Sequence, residues 1–133
     1  PGPFLYAPKA RNSGSDFSYD NAVVIRGFEE TTVVQRIPVP FAMWHPFDSQ
    51  GARLNLFGTS VVGIAGQRAA ALVCYEQLVT WPVLTSVLRN PTVFVAIAND
   101  HWAAGTPIAA FQAAAVRSWS RLFSIPAVSA INQ

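Results

Sequence analysis

The chain of 133 residues contains one cysteine, two histidines and few charged residues, which make up only 12% of it. A single cysteine cannot form an intrachain disulfide, so the cysteine content does not indicate a redox compartment. The nine basic residues are scattered without a run of three, and this pattern excludes the basic footprint typical of nucleic-acid binding. Neither His45 nor His101 has a second metal ligand at suitable spacing, so no metal site and no cofactor is expected.

Long apolar runs are also lacking. The longest ones, residues 69–73 and 93–98, are far shorter than the roughly 20 residues that cross a bilayer. Hydrophobic residues nevertheless make up 51% of the chain, which is enough to build a core and high for a domain of this size. We therefore expect partly apolar surfaces that meet another copy or further sequence. The start at Pro1, without a methionine, leads us to expect a piece of a longer protein.

The amino-terminal half is predicted to be mostly extended. Strands are predicted at residues 4–6, 19–26 and 31–36, the last two forming a hairpin because β-branched runs flank a Gly-containing turn. The polar residues 9–17 are predicted to form a flexible loop. Three prolines within residues 37–47 predict a rigid, irregular segment.

The carboxyl-terminal half alternates strands with helices. Strands are predicted at 60–65, 68–74, 93–98 and 126–131, and helices at 76–88, where Pro82 marks a kink or a restart, and at 107–123. Continuous apolar strands that alternate with helices are typical of a layered α/β fold with strands buried on both faces. Functional sites in such sheets lie beyond the carboxyl ends of the strands. Cys74, Asn99, Asp100 and Asn132 are predicted to share that edge.

Cys74 is the most informative residue because it ends an apolar strand just before a predicted helix. The partial positive charge at a helix N-terminus favours the thiolate, so this position suits a nucleophile. The alternative interpretation is a buried structural thiol, since free cysteine is among the most buried residue types. Glu76 likewise has two interpretations, a residue that supports a site and an ordinary carboxylate in the first helical turn.

Several short motifs occur in a fixed order along the chain. They are Tyr19-Asp20-Asn21-Ala22, Val39-Pro40-Phe41, Cys74-Tyr75-Glu76, Asn99-Asp100-His101-Trp102, Pro107, Phe111-Gln112, Arg117, Pro126 and Asn132. Together they resemble the carbon–nitrogen hydrolase (nitrilase) superfamily, and the resemblance extends over nearly the whole chain. The part of the family domain that they match is mostly its carboxyl-terminal part. Within it, the resemblance is greatest to the apolipoprotein N-acyltransferases and to the conjugal-transfer TraB proteins.

The resemblance implies an α/β fold, the nitrilase-like αββα sandwich or its carboxyl-terminal half, with a mixed sheet and helices packed on one face. Residues 1–133 would form one partial domain, without the amino-terminal segment that carries the general-base Glu. In the implied site, Cys74 forms a thioester with an acyl or amide substrate, Glu76 supports it, and Gln35 occupies the position of the family's Lys. The implied substrate-binding residues are Phe41, Tyr75, Asn99, Asp100 and Trp102. The implied location is the bacterial cell envelope, membrane-associated or periplasmic.

The chain departs from the family pattern at residues that carry charge. Gln35 replaces the Lys, and Ala42-Met43 replaces a Gly-Glu pair. A neutral amide gives no full positive charge to an oxyanion, and losing one such donor costs about 10²–10³ in rate. Without the general base, the thiol also lacks its proton acceptor.

Two functions therefore remain open. The first is a nitrilase-like domain of a conjugal-transfer TraB-like protein that acts through a thioester at Cys74. The second is a non-catalytic binding or assembly component of a plasmid conjugation system that keeps the fold. Retention of Cys74-Tyr75-Glu76 favours the first, and Gln35 with Ala42-Met43 favours the second. The expected partner is a second copy or the missing half of the domain, with possible membrane association through sequence outside this chain, and direct contact with nucleic acid is not expected.

Overall fold

A computed structural model describes residues 4–6, 9–13, 16–26, 30–47, 50–103 and 105–132. The chain divides into two compact units, Pro1–Thr59 and Ser60–Gln133. The described residues form ten strands, two α-helices and two short 3₁₀ helices, which makes the protein a mixed α/β one. That residues 1–133 form one partial nitrilase-like domain stays a prediction.

The amino-terminal unit consists of short strands. They are β1 (Phe4–Tyr6), β2 (Lys9–Ser13), β3 (Asp16–Asp20), β4 (Ala22–Ile25), β5 (Thr31–Val34) and β6 (Gly51–Ala52). One sheet has the order β1-β4-β5 and is antiparallel; the other has the order β2-β3-β6. The predicted hairpin is confirmed as β4–β5, in which Ala22 pairs with Val34 and Val23 with Val33. Val23 and Val33 are buried, so this hairpin supplies apolar core.

The polar segment 9–17 was expected to be a loop, and this prediction is wrong. Strands β2 and β3 pair antiparallel from Lys9 opposite Asp20 to Ser13 opposite Asp16. Backbone hydrogen bonds within the three-stranded sheet β2-β3-β6 hold these strands together, and such pairing requires no alternating apolar pattern in the sequence. The proline-rich segment 37–47 is irregular as predicted, with a turn in which Met43 donates its backbone N–H to the carbonyl of Val39 at 2.9 Å.

The carboxyl-terminal unit alternates strands and helices. Its elements are β7 (Val61–Ile64), β8 (Gln67–Val73), a 3₁₀ helix (Cys74–Leu78), α1 (Thr80–Val87), β9 (Val93–Asn99), a second 3₁₀ helix (His101–Ala103), α2 (Ile108–Phe123) and β10 (Ala127–Asn132). The sheet has the order β10-β9-β8-β7. Strands β8, β9 and β10 are parallel and β7 is antiparallel, so the sheet is mixed.

Both helices pack on the same face of this sheet. Ala70 and Leu72 of β8 form a buried cluster with Phe94 of β9 and Val83 of α1, and residues Val87, Trp119 and Phe123 add to it from the two helices. Pro82 marks a restart rather than a kink, because the chain leaves the 3₁₀ helix at Val79 and begins α1 at Thr80. Pro82 then lies in the first turn of α1, where a missing N–H removes no intrahelical bond.

Candidate functional site

The carboxyl ends of the three parallel strands meet at one edge, as the sequence predicts. Val73 of β8 pairs with Ile97 of β9, and Asn99 of β9 pairs with Asn132 of β10. The backbone N–H of Asp100 donates to the carbonyl of Asn132 at 2.8 Å, and the Asn132 amide donates to Asn99 Oδ1 at 3.4 Å. The chain segments that carry Asn99, Asp100 and Asn132 are therefore tied together at this edge.

Cys74 lies where β8 turns into the first 3₁₀ helix, and its backbone is strained. Its φ angle is 51°, in the left-handed region that residues with a Cβ rarely adopt. Such strain persists only where the surroundings impose it, and it is concentrated at functional sites. The chain thus makes an abrupt strand-to-helix turn at the one cysteine it contains.

Glu76 stabilises this turn from within it. Its side chain is fully buried, and its Oε2 accepts a hydrogen bond from the backbone N–H of Val73 at 3.1 Å. The carboxylate in this way satisfies an amide at the start of the 3₁₀ helix, the role of an acidic residue in a first turn. This structural role was one of the two interpretations that the sequence left open.

The surroundings of the Cys74 thiol disfavour its ionisation. Burial is the main cause that raises its pKa, and the negative charges of Asp100 and Glu76 raise it further. A hydrogen bond from the backbone N–H of Tyr75 lowers the pKa but does not outweigh these effects. This direction is opposite to that expected for a helix-stabilised thiolate, because desolvation and two nearby carboxylates outweigh the effect of a five-residue 3₁₀ helix.

Asp100 is a buried acid without a proper hydrogen-bond partner. Its side chain is 2% exposed, and neither carboxyl oxygen has a bonded donor among the described residues. Burial raises the pKa of Asp100, and the side-chain amide of Gln112 offsets part of this rise. A carboxyl in these surroundings is suited to hold a proton or to accept a donor from a ligand.

Two buried glutamines that the sequence did not predict as site residues complete this edge, although Gln112 belongs to one of the motifs named above. The Gln77 amide donates to the carbonyls of Ile97 at 3.2 Å and Leu72 at 3.4 Å, which joins the ends of β8 and β9. The indole N–H of Trp119 donates to the backbone carbonyl of Gln77 at 2.9 Å, and this bond links α2 to the first 3₁₀ helix. Gln112 lies on the buried side of α2, and a polar residue on that apolar stripe was the signal that could have identified it.

The remaining predicted residues are divided between the two units. Tyr75 is half-buried and Asn99 is exposed at the edge of the sheet, while the side chain of Trp102 lies outside the described residues.

Gln35 and Phe41 belong to the amino-terminal unit. Gln35 is buried and accepts a hydrogen bond from the Asn21 amide at 2.5 Å. Phe41 is 73% exposed and meets His45 edge-to-face.

Neither a cluster of metal ligands nor a membrane-crossing helix is present among the described residues. Among them, no group of three histidine, cysteine or acidic side chains could hold a metal ion. Within the same part of the chain, no helix has the length and apolar character needed to cross a membrane.

Fold and site together define a mixed α/β protein with a cysteine of raised pKa at the carboxyl edge of the parallel strands of a mixed sheet. No protein-family model matches the chain. It is 41% identical over 121 residues to conjugal transfer protein TraB of Agrobacterium fabrum, and 40% identical over 121 residues to probable conjugal transfer protein TraB of Sinorhizobium fredii. These matches cover 86% of this chain but only 29% and 31% of the two relatives.

The chain therefore spans less than a third of the length of the curated relatives it matches. At this identity over most of the chain, the predicted resemblance to TraB-type conjugal transfer proteins is confirmed. The names of the relatives do not mention hydrolase or acyltransferase activity, so the nitrilase part of the resemblance stays a prediction.

Proposed function

We propose that the chain is a portion of a TraB-like protein that takes part in plasmid conjugation at the bacterial cell envelope. In this proposal it is a non-catalytic binding or assembly component that keeps the position of an ancestral cysteine nucleophile. The support for conjugation comes from two relatives named conjugal transfer proteins at about 40% identity. The envelope location follows from the same names and belongs to the proposal.

The observation that carries the non-catalytic assignment is the charge around Cys74. Thioester chemistry requires a thiolate, yet burial raises the pKa of this thiol, and the negative charges of Asp100 and Glu76 raise it further. The position of the family's Lys holds the neutral Gln35, whose side chain is already bonded to Asn21 and to the carbonyl of Ile37. The chain's one lysine, Lys9, is in β2 and does not follow the family pattern.

A nitrilase-like fold is part of the same proposal. It is supported by the mixed sheet, by two helices on one sheet face, and by the cysteine at the carboxyl edge. The complete αββα sandwich would need further sequence or a second copy, and the longer relatives provide room for such sequence.

One observation favours a second candidate function, thioester-mediated acyl transfer. The left-handed φ of Cys74 is a strained conformation of the kind that presents nucleophiles. In this candidate, Asp100 accepts the thiol proton while the sulfur attacks the carbonyl carbon of an acyl or amide donor. The leaving group departs with a proton, and water or an amine then releases the acyl group from sulfur and regenerates the thiol.

Plasmid transfer from a donor strain distinguishes the two functions. A donor that lacks the full-length gene is complemented with wild type, Cys74→Ser and Cys74→Ala, and protein levels are checked by immunoblot. The non-catalytic proposal predicts wild-type transfer with both variants, since Ser and Ala keep the backbone turn. Transfer reduced to the level of the uncomplemented donor, at normal protein levels, would establish the catalytic candidate instead.

A matched variant tests whether this part of the protein is needed for conjugation. Phe94 is fully buried in the sheet, and Phe94→Asp places a charge in the core of the carboxyl-terminal unit. We expect it to abolish transfer, because an unpaired buried charge unfolds the unit. Undiminished transfer by Phe94→Asp would overturn the proposed role in conjugation.

A further inference from the structure

The exposed charges of the carboxyl-terminal unit all have the same sign. Residues 60–133 contain four arginines, Arg68, Arg89, Arg117 and Arg121, and all four are exposed. The unit has only two acidic residues, Glu76 and Asp100, and both are buried. The surface of this unit is therefore positive, although the whole chain carries a formal charge of only +2.

Apolar side chains are exposed on the outer side of its two helices. Helix α1 and the turn before it expose Leu78, Trp81, Leu84 and Leu88, the last of which is 81% exposed. Helix α2 exposes Phe111 and Leu122 along a stripe that also carries Arg117 and Arg121. Because both helices pack their other side on the same sheet face, these stripes share the outer surface of one helix layer. We call these eight residues the helix face.

We propose that the helix face binds the surface of an anionic lipid bilayer. Exposed arginines beside exposed Trp, Leu and Phe side chains suit a surface that lies in the headgroup region of a membrane. The arginines are attracted to anionic headgroups, and the apolar side chains enter the boundary with the acyl chains. This surface association requires no membrane-crossing helix, and it does not depend on the proposed role in conjugation.

The charges favour lipid over a second copy of the chain. In a twofold-symmetric dimer through the helix face, the same patch of both protomers would meet, so every charge brought into the interface would be positive. No acidic residue of the helix face could pair with these charges, so like charges would oppose such an interface. An anionic bilayer provides the opposite charge together with an apolar layer.

Vesicle flotation with the 133-residue chain tests the proposal. Vesicles of phosphatidylcholine mixed with phosphatidylglycerol should carry the protein to the top of the gradient, and vesicles of phosphatidylcholine alone should not. Added salt should release the protein, because it screens exposed charges. Arg117→Gln with Arg121→Gln should weaken the partition coefficient about fivefold per arginine.

Matched variants separate this proposal from its alternatives. Leu88→Ser should also weaken vesicle binding, whereas Arg26→Gln should not, because exposed Arg26 lies in the amino-terminal unit and pairs with Glu30. Circular dichroism of each variant checks that it is folded. Equal binding to both vesicle types, no binding to either, or undiminished binding by the helix-face variants would overturn the proposal. A lipid-independent dimer that Leu88→Ser dissociates would assign the face to a second copy instead.

Discussion

The negative charge of Asp100 raises the pKa of the Cys74 thiol at the carboxyl edge of β8 and β9. The two residues follow neighbouring parallel strands, so the sheet brings a thiol and a buried acid together. Two groups that both become negative on ionisation oppose each other's ionisation. The position that most resembles a nucleophile is therefore one where the fold disfavours the thiolate.

The pH dependence of stability should report the buried acid. Since the folded-state pKa of Asp100 is raised, the native chain retains this proton more strongly than the unfolded chain. The free energy of unfolding should therefore fall as pH rises from the ordinary aspartate pKa through the raised one. Asp100→Asn has no titrating group at this position, so its free energy of unfolding should not show this fall. The variant should therefore become more stable relative to wild type as pH rises through the window, and the difference between the two should be smaller at pH values below the window.

Urea unfolding of wild type and Asp100→Asn at a series of pH values measures this difference. Glu30→Gln is a suitable control, because Glu30 is an exposed acid in the amino-terminal unit. A stability difference between wild type and Asp100→Asn that stays constant with pH would show that Asp100 titrates normally.

The strained backbone at Cys74 makes glycine preferable to alanine there. A left-handed conformation costs a residue with a Cβ about 1 kcal/mol or more, and glycine avoids this cost. We expect Cys74→Gly to be more stable than Cys74→Ala by about 1 kcal/mol in the free energy of unfolding. Ala71 lies in β8 and has no positive φ, so Ala71→Gly should have a lower free energy of unfolding than wild type. If Cys74→Ala is the more stable of the pair, the turn is not strained.

The indole of Trp119 should stabilise the edge through one hydrogen bond. Trp119→Phe keeps an aromatic ring to stack on Phe123 but removes the donor to the Gln77 carbonyl. We expect the free energy of unfolding to fall by about 1 kcal/mol from the lost hydrogen bond, with a further loss from the smaller ring. Phe123→Tyr, on the same helix, keeps the Trp119 bond and provides a comparison. Wild-type stability of Trp119→Phe would contradict this assignment.

Gln35 should have a structural role in the amino-terminal unit. It accepts from the Asn21 amide and donates to the Ile37 carbonyl, and its side chain is fully buried. Gln35→Ala leaves the buried Asn21 donor unpaired, so we expect a loss of about 1–3 kcal/mol in the free energy of unfolding. Thr32→Ala, at an exposed site on β5, should cost much less. Equal effects of the two variants would exclude this role.

Local patterns in the sequence predicted much of the carboxyl-terminal unit. The apolar spacing of residues 107–123 predicted α2 within one residue, since that helix has one buried stripe. The apolar run of 93–98 predicted β9, but the expected burial on both faces is wrong, because only alternate residues of this strand are fully buried and both helices cover the same sheet face. The shared edge followed from the alternation of strands and helices, which requires parallel strands to end on one side.

The sequence could not reveal the chemistry at that edge. Desolvation of Cys74 depends on how deeply its turn is packed, and the opposing charge comes from Asp100 on another strand end. Gln77 acts there through tertiary contacts that have no local signature. The β2–β3 hairpin was missed for a related reason, since its backbone pairing leaves no apolar pattern to detect.

The most direct test of the account is the rate of Cys74 alkylation by iodoacetamide as a function of pH, followed by intact mass. The chain has one cysteine, so every adduct reports this thiol. The account predicts a midpoint above the unperturbed value of about 8.5, and a lower midpoint in Asp100→Asn than in wild type. A wild-type midpoint well below that value, with rapid labelling, would show an activated nucleophile and contradict the account.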